Sequence, residues 1–336
     1  IRRPPRSTQG VSSAASDVYK RQRLHERGAL LAETIQRRLD GEFVDAIDYW
    51  LELPERTVEE PTRPPTPSRW GDGYICLDLG PDDQATWETF VAVAESDADP
   101  ESIARRAQVW RLPVTPYRSQ PTSQQPNDLG ETTSRLELRG VTVVDLTSMW
   151  AGPFCTELLA RAGARVVKIE PSSRPDGLRF GDGDDGSGRA PMFIALNKSK
   201  EFADIDLRYC SEGGEFHQLL RFADIVVTSL SPRANSNLGI THDYLKDVNP
   251  NLALLSITAF ASDSDEGDWV AYGTGVHATS GMGWANGCPS TPAFSYPDPL
   301  AGLEACATAL AQLAGDAPKH CRVSLDRSIA GLEKPS

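Results

Sequence analysis

The sequence, 336 residues long, is short of several features that define broad classes of protein. It contains no run of about 18 apolar residues, so we expect no transmembrane helix. Basic charge is also in deficit, because 34 lysines and arginines face 47 aspartates and glutamates, for a net charge of −13. Nucleic-acid binding needs clustered basic charge that displaces counterions, and this balance argues against it.

Paired cysteines and clustered histidines are missing as well. The six cysteines are Cys76, Cys155, Cys210, Cys288, Cys306 and Cys321. No two of them have C-x-x-C spacing, so neither a zinc knuckle nor a disulfide framework is indicated. We expect reduced, mostly buried thiols in a cytoplasmic protein. The five histidines are scattered in the same way, and the sequence predicts no metal site.

Several familiar catalytic motifs are absent. Neither G-x-S-x-G nor H-E-x-x-H occurs, and His277, which stands alone among small residues, is interpreted as structural. The turn over residues 147–153 lacks the glycines of G-x-G-x-x-G, which argues against a dinucleotide cradle. The helix predicted behind that turn can still attract phosphate at its N-terminus. Without the glycines, Glu170 at the end of the next strand is interpreted as a solvated strand end.

Composition divides the chain into four stretches. Residues 1–22 are rich in Arg, Ser and Pro without apolar periodicity, and we interpret them as a non-native or disordered extension, with a transit peptide as the alternative. Residues 23–114 form a candidate small segment. Residues 115–134, rich in Pro, Gln and Ser, predict a linker to a larger domain over 135–336. That domain stops abruptly after a predicted strand and helix start, so we expect a fragment.

The small segment mixes helices and strands. Apolar residues at helical spacing predict a helix over residues 24–53. After a Pro-rich connector, a strand is predicted over 74–79 and helices over 81–93 and 100–110. These elements indicate a smaller α+β segment ahead of the larger domain.

The larger domain alternates strands and helices. β-branched runs predict strands over 141–146 and 165–170, joined by a helix that ends at Gly163. Further strands are predicted over 202–207, 225–228 and 252–258, with helices around 212–222 and 242–248. This alternation predicts an α/β fold with a doubly wound, parallel, Rossmann-like sheet, whose ligands bind at the carboxyl ends of the strands.

Asp298 precedes a pronounced helical pattern in this domain. The apolar positions of that helix are Leu303, Ala305, Ala307, Leu310 and Leu313. Because proline is favoured at the first helical position, the segment Pro297-Asp298-Pro299 predicts Asp298 as the N-cap. A carboxylate at a helix start can also act as a covalent nucleophile toward an acyl group. The residues alone leave both interpretations open.

A series of motifs marks residues 136–330. They are LRGVTVVDLT (138–147), AGP (151–153), LARAGA (159–164), VKIEP (167–171), LNKSK (196–200), ADIVV (223–227), LGI (238–240), NPNL (249–252) and CRVSL (321–325). In this order they resemble the family III CoA-transferases, the group that contains formyl-CoA transferase, carnitine CoA-transferase and α-methylacyl-CoA racemase. The resemblance covers 195 of the 336 residues, the span 136–330.

The resemblance implies a reaction. In the transferases of this family an aspartate attacks an acyl-CoA thioester, a mixed anhydride and then an aspartyl-CoA thioester form, and CoA passes to a second carboxylic acid. Asp298 stands at the matching position and would be the catalytic residue. The partners would be an acyl-CoA and a carboxylic acid, with coenzyme A as substrate and no tightly bound cofactor. The family also implies an interlocked homodimer for the intact protein.

The resemblance also implies where CoA binds. The matching positions are Ser148, Met149, Trp150, Ala151, Ile205, Arg208, Ser229 and Leu230. Arg208 suits the phosphates of the adenosine end, with a plain surface charge as the alternative. The family often has Asn-Phe at positions 229–230 and arginine at position 237, and the serine, leucine and asparagine found here imply weaker phosphate or adenine contacts.

Two alternatives to the transferase stay open. A racemase or epimerase would need the His-Asp pair of a G-H-D motif, and this chain has Ala271-Tyr272-Gly273 instead, which counts against it. The other alternative is a non-catalytic module that binds CoA or pairs with an active partner. Residues 69–75 and 110–114 faintly resemble the smaller, later domain of the family, which would make residues 23–114 the tail of a preceding copy.

Overall fold

The computed structural model describes residues 9–39, 67–80, 83–94, 98–120, 125–129, 134–181, 183–210, 212–285, 288–291, 295–330 and 332. Within these ranges, no helix is both long enough and apolar enough to cross a membrane. The part of the predicted helix 24–53 that follows residue 39 lies outside the described residues.

The first part of the chain contributes a long helix and a small antiparallel sheet with two helices. The elements are α1 (Gln9–Arg38), β1 (Ser68–Trp70), β2 (Gly73–Leu77), α2 (Gln84–Val93), α3 (Pro100–Val109) and β3 (Val114–Pro116). Strand β2 pairs with both β1 and β3. The Asp99 carboxylate caps α3 by accepting a hydrogen bond from the backbone N–H of Ser102 at 2.9 Å. The predicted α+β segment is confirmed.

The second part alternates strands with helices. Its elements are β4 (Thr142–Leu146), α4 (Ala151–Arg161), β5 (Arg165–Ile169), α5 (Pro191–Ala195), β6 (Glu201–Ala203), α6 (Glu215–Phe222), β7 (Ile225–Thr228), α7 (Pro232–Asn237), α8 (His242–Val248), β8 (Ala253–Thr258), α9 (Gly273–Thr279), β9 (Trp284–Ala285), β10 (Cys288–Pro289), α10 (Pro297–Ala314), β11 (His320–Ser324) and α11 (Leu325–Ser328). Strands β9 and β10 form a separate two-stranded ribbon.

The remaining six strands of the second part form one parallel sheet, in the order β6-β5-β4-β7-β8-β11. Val143 and Val144 belong to different hydrophobic clusters because successive side chains of a strand point to opposite faces. Both faces are therefore covered, as expected for a parallel sheet. The strand order reverses beside β4, which confirms the predicted doubly wound, Rossmann-like fold.

Most strands of this sheet lie where the sequence places them. The strands predicted over 141–146, 165–170, 225–228 and 252–258 are confirmed to within one residue at either end. The strand predicted over 202–207 is wrong in its second half. There β6 ends at Ala203, and the Asp206 carboxylate accepts a hydrogen bond from the backbone N–H of Arg208, which favours a single 3₁₀ turn.

Helix α10 is the central helix of the second part. Nearly all its residues are buried, and its composition is rich in Ala and Leu, as expected for a helix inside a core. A side chain at Gly302 would meet the backbone oxygen of Ala151 at 2.9 Å and the ring of Phe154 at 2.7 Å. Glycine at this position therefore allows α10 to pack directly on α4. The helix ends at Gly315 with φ +83°, a conformation that glycine adopts freely.

Helix α1 packs on α10 and forms part of the same core. Leu31 and Ile35 belong to the hydrophobic cluster that contains the α10 side chains. Arg27 reaches the fully buried Glu304 at 2.7 Å. The helix begins at Gln9, so residues 9–22 of the stretch interpreted as a non-native or disordered extension are helical. Residues 9–22 carry no apolar periodicity, so no sequence pattern indicated a helix there. The core contacts of α1 come from later residues such as Leu31 and Ile35.

The segment interpreted as a linker, residues 115–134, makes fixed contacts in its described parts. Thr115 and Pro116 pair with β2 as part of β3. The buried Asn127 amide donates hydrogen bonds of 2.6 Å to Glu304 and 2.9 Å to the backbone oxygen of Ser324. A polar, Pro-rich composition indicated a loose connection, but these few residues are fixed by buried hydrogen bonds.

The cysteines are free thiols with mixed exposure. Cys76, Cys155 and Cys306 are buried, whereas Cys210 and Cys288 are exposed. The prediction of mostly buried thiols therefore holds for half of the six. Burial raises the pKa of the Cys306 thiol to about 12, which makes that thiol unreactive at neutral pH.

We expect Arg27→Ala to destabilise the protein by about 3 kcal/mol, because it leaves the buried Glu304 carboxylate without its cation. The matched control is Arg37→Ala on the exposed side of the same helix, where the pair with Glu33 is solvated and contributes less than about 0.5 kcal/mol. Urea unfolding of both variants measures the difference. Equal losses for the two variants would show that the buried pair is not what fastens α1.

Candidate active site

The candidate site lies at the carboxyl edge of the parallel sheet, where the strand order reverses. The loops after β4 and β7 meet there, and the backbone N–H of Ser148 donates to Oγ of Ser229 at 3.1 Å. Crevices at such switch points are the usual ligand sites of doubly wound sheets. The structure thus brings together two groups of residues that the family resemblance assigns to CoA, residues 148–151 and Ser229 with its neighbour Leu230.

Met149 has an unusual backbone conformation in this loop. Its φ of +67° is in the left-handed region, which non-glycine residues rarely adopt. The Met149 backbone N–H donates to Oδ1 of Asp176 at 3.1 Å, which holds the strained turn in place. Backbone strain of this kind persists only where the surroundings fix it, and it concentrates at functional sites.

Two buried ion pairs support the loop from below. Nζ of Lys168 lies 3.1 Å from the other oxygen of Asp176 and donates to the backbone oxygen of Thr147 at 2.7 Å. Beneath it, Lys200 lies 3.0 Å from Asp145. Burial acts to raise the pKa of Asp145, but the charges of both lysines outweigh burial and hold that pKa below its usual range. Lys200, the last residue of the LNKSK motif, therefore helps to position the loop after β4 from the protein interior.

Ile205 and Arg208 lie further along the same edge, after β6. Ile205 is partly buried against the hydrophobic cluster beneath the sheet. The exposed guanidinium of Arg208 contacts the Asp206 carboxylate at 2.5 Å and Oγ of Ser173 at 3.4 Å. Arg208 is therefore placed on the predicted edge, but its charge is paired with Asp206, and a phosphate would have to compete for it.

Glu170 is not the solvated strand end that the sequence indicated. Its carboxylate accepts hydrogen bonds from Arg179 at 2.5 Å and from the backbone N–H of Asp176 at 2.8 Å. It thus orders the segment that carries Asp176 toward Met149. His277, interpreted as structural, is buried within α9.

Asp298 lies near the start of α10, but it is not the N-cap. Tyr296 is the cap residue, Pro297 is the first helical residue and Asp298 is the second. The predicted N-cap is therefore wrong by two positions, because the proline before Asp298 starts the helix. The Asp298 side chain turns back instead, and its Oδ2 accepts a hydrogen bond of 2.5 Å from the Ser295 hydroxyl.

The surroundings of Asp298 disfavour its charged form. The residue keeps part of its surface accessible, but protein atoms enclose the carboxyl group. Burial raises its pKa to about 6; the hydrogen bond from Ser295 acts against this, and the charge of Asp78 adds to it. At neutral pH the carboxylate is mostly ionised and poorly solvated. Such a group suits nucleophilic attack.

Glycine at position 273 is what allows this close contact. A Cβ on Gly273 would overlap the carboxylate of Asp298 and the hydroxyl of Ser295. The backbone N–H of Gly273 instead donates to Asp298. One helical turn beyond Asp298, Gly302 contacts the backbone of Ala151, so the carboxylate and the 148–151 loop lie at the same end of α4 and α10.

Sequence reasoning missed the second carboxylate of this region. Asp78 follows β2, far from Asp298 in the chain, and accepts hydrogen bonds from the Thr274 hydroxyl and the Gly275 backbone N–H. Burial raises its pKa above the usual range. The available signal was an acidic residue ending an apolar strand. Within the described ranges, no group of three or more His, Cys, Asp and Glu side chains is placed to hold a metal ion.

The doubly wound sheet, the loops that meet at its switch point and the enclosed carboxyl group of Asp298 together define a candidate active site of an α/β protein. The particular family follows from comparison with known proteins. The chain belongs to CoA-transferase family III, whose family model matches residues 138–329. The recognition made from the sequence motifs is confirmed.

Three relatives with similar sequences are named as CoA-transferases. The chain is 34% identical over 186 residues to the (R)-2-hydroxy-4-methylpentanoate CoA-transferase of Clostridioides difficile, covering 52% of this chain and 46% of that protein. It is 33% identical over 181 residues to the formyl-CoA:oxalate CoA-transferase of Escherichia coli O6:H1, with coverage of 52% and 43%. For the acetyl-CoA:oxalate CoA-transferase of Acetobacter aceti the identity is 32% over 153 residues, with coverage of 46% and 39%.

The fold comparison agrees with the family. A hypothetical protein from Mycobacterium tuberculosis superposes with a TM-score of 0.51 at 26% identity, covering 58% of this chain and 56% of that one. The chain spans less than half the length of the three curated relatives.

We expect Asp298→Asn to stabilise the protein at pH 8 by about 3 kcal/mol. The folded-state pKa, about 6, lies above the ordinary 3.8, so the ionised group opposes folding. This destabilisation grows as the pH rises from about 4 to about 6 and is constant above that window.

Urea unfolding at pH 4 and pH 8 tests this, and at pH 4 the advantage should fall below about 1 kcal/mol. Asp72→Asn, at an exposed turn of the small sheet, is the matched control and should show no such change with pH. An equal effect of Asp298→Asn at both pH values would rule out a raised pKa at Asp298.

Proposed function

We propose that the protein containing this chain transfers CoA between an acyl-CoA thioester and a free carboxylic acid, with Asp298 as the nucleophile. The observation that carries the proposal is the desolvated Asp298 carboxylate beside the 148–151 loop, in a chain of CoA-transferase family III. The names of the relatives give the same class of reaction.

The chemistry proceeds by exchange at carbonyl groups. Because Ser295 holds Oδ2, we assign Oδ1 of Asp298 as the oxygen that attacks the thioester carbonyl. CoA leaves as the thiolate, and a mixed anhydride of Asp298 forms. The thiolate then attacks the Asp298 carbonyl, which releases the first acid as its carboxylate and leaves an aspartyl-CoA thioester. Thioester and carboxylate are exchanged for groups of similar energy, so the step needs no ATP.

The second half of the reaction reverses these steps with the acceptor acid. Its carboxylate attacks the aspartyl-CoA carbonyl, and the expelled thiolate attacks the acceptor carbonyl of the new anhydride. This frees Asp298 and yields the new acyl-CoA. A tetrahedral intermediate forms in each attack, and fixed hydrogen-bond donors in a site poor in water would stabilise it.

For CoA we propose contacts along the carboxyl edge of the sheet. The residues are Ser148, Met149, Trp150, Ala151, Ile205, Arg208, Ser229 and Leu230. The N-terminus of α4 attracts the phosphates, and Arg208 binds them after exchanging its contact with Asp206. Coenzyme A is a substrate in this proposal and is not a tightly bound cofactor.

The context of the whole protein is proposed from the same resemblance. We assign residues 23–114 to the tail of a preceding copy of the family and residues 135–336 to a second copy, with an interlocked homodimer in the intact protein and a cytoplasmic location. The contacts of Gln108 with the backbone of Val270, at 2.7 and 2.8 Å, support a close association between the two parts.

The two alternatives receive less support. An epimerase would need a His-Asp pair, and Tyr272 and Gly273 stand at those positions. In a non-catalytic module, the close contact between Gly273 and the poorly solvated Asp298 carboxylate would serve no function.

Incubation with acetyl-CoA or formyl-CoA, followed by trapping with hydroxylamine or borohydride and peptide mapping by mass spectrometry, should place the adduct on Asp298. Adduct formation should fall as the pH drops below about 6, because the attacking carboxylate must be ionised. Asp298→Asn should abolish it, and the exposed control Asp72→Asn should retain it. An adduct on another residue, or none under turnover, would refute the assignment.

A further inference from the structure

We propose that Asp78, which lies outside the family-matched residues 138–329, is a positioning residue of the transferase site, where it fixes the first turn of α9 and sets the charge that Asp298 faces. The proposal rests on the proposed function for its catalytic meaning. The family model assigns nothing to Asp78, because its match begins 60 residues further along the chain, at residue 138.

The first turn of α9 serves two carboxylates at once. Gly273 donates its backbone N–H to Asp298, whereas Thr274 and Gly275 donate their hydroxyl and backbone N–H to Asp78. Three successive residues thus donate hydrogen bonds to two different carboxylates, Asp78 after β2 and Asp298 in α10. Any displacement of Asp78 would move the residue that holds Asp298.

The strand that carries Asp78 is itself fixed to α9. Strand β2 pairs with β3, and the hydroxyl of Thr115 in β3 donates to the backbone oxygen of Gly275 at 3.1 Å. Asp78 also continues the pairing, since its backbone N–H donates to the oxygen of Pro113 at 3.2 Å. The carboxylate therefore stands on a rigid element, as a group that sets an electrostatic environment must.

The two carboxylates repel each other, and this repulsion has a consequence for the reaction. Burial is the main reason that the pKa of each is raised, and the Asp78 charge raises the pKa of Asp298 further. When Asp298 attacks a thioester its negative charge leaves the carboxylate, so the repulsion is relieved on the way to the transition state. An interaction that is unfavourable only in the ground state accelerates the step.

Other charged groups border the same region. Burial raises the pKa of Tyr272, the cap residue of α9. The charges of Asp83 beside α2 and of Asp176 in the loop after β5 raise that pKa further, and the charge of Arg174 in the same loop lowers it. Asp78 also acts on Tyr272, and it is the group whose charge raises the pKa of Asp298. The pH dependence of Asp298 is therefore expected to respond to Asp78 first.

The variant Asp78→Asn separates charge from position, because the amide oxygen still accepts hydrogen bonds from Thr274 and Gly275. Carboxyl carbon NMR of the substrate-free protein, labelled at aspartate, should show the pKa of Asp298 falling by about one unit. The pH midpoint of adduct formation should move down with it, and the rate at pH 8 should fall about threefold.

The matched control is Asp72→Asn, which removes the same charge at the other end of β2, about 20 Å away by strand geometry. It should leave both the titration and the rate unchanged. A midpoint that stays in place in Asp78→Asn, or that moves equally in Asp72→Asn, overturns the proposal.

A reciprocal measurement does not depend on the folding of Asp78→Asn. In Asp298→Asn the pKa of Asp78 should fall by the same amount, since the repulsion acts on both groups. An unchanged Asp78 titration there also overturns the proposal. Both titrations are measured without substrate, so they test the coupling of Asp78 to Asp298 whether or not the protein is a transferase. Absence of any CoA adduct in the unmodified protein would refute the proposed function alone.

Discussion

The desolvation of one carboxylate is the constraint on which this part of the molecule depends. Asp298 is ionised at neutral pH only at a cost, and the fold offsets that cost with hydrogen-bond donors that include the Ser295 hydroxyl and the Gly273 backbone N–H. Both donors need their elements in fixed positions, and glycine at 273 is the condition for contact. The site is thus a compromise between a charge that must be present and surroundings that disfavour it.

Helix α10 transmits this constraint to the rest of the fold. At its start it carries Asp298, one turn later Gly302 contacts the loop of α4, and half a turn beyond that Glu304 binds Arg27 and Asn127 from earlier in the chain. The loop of α4 is in turn held by the buried pairs of Lys168 and Lys200. A single core helix therefore connects the reactive group, the ligand loop and the first part of the chain.

Local patterns were sufficient for the sheet and for the family, but not for long-range contacts. β-branched runs predicted four strands to within one residue, because parallel strands that are buried on both faces are rich in such residues. Asp298 was identified from its match to the family, yet its place in the helix was wrong because two prolines compete for the first turn. Asp78 and Asn127 were missed, because a carboxylate and an amide gain their roles from partners about 200 residues away.

The cluster around Glu304 affects how this protein can be divided. A piece cut at the limits of the family match would begin at residue 138, after both Arg27 and Asn127. It would keep the whole parallel sheet and Asp298, but of the described side chains that bind the buried Glu304 carboxylate it would retain Ser328 and lose Arg27 and Asn127. Such an excised domain would expose the apolar face of α10 that α1 covers. A domain expressed with boundaries drawn from sequence similarity alone would therefore be prone to aggregation.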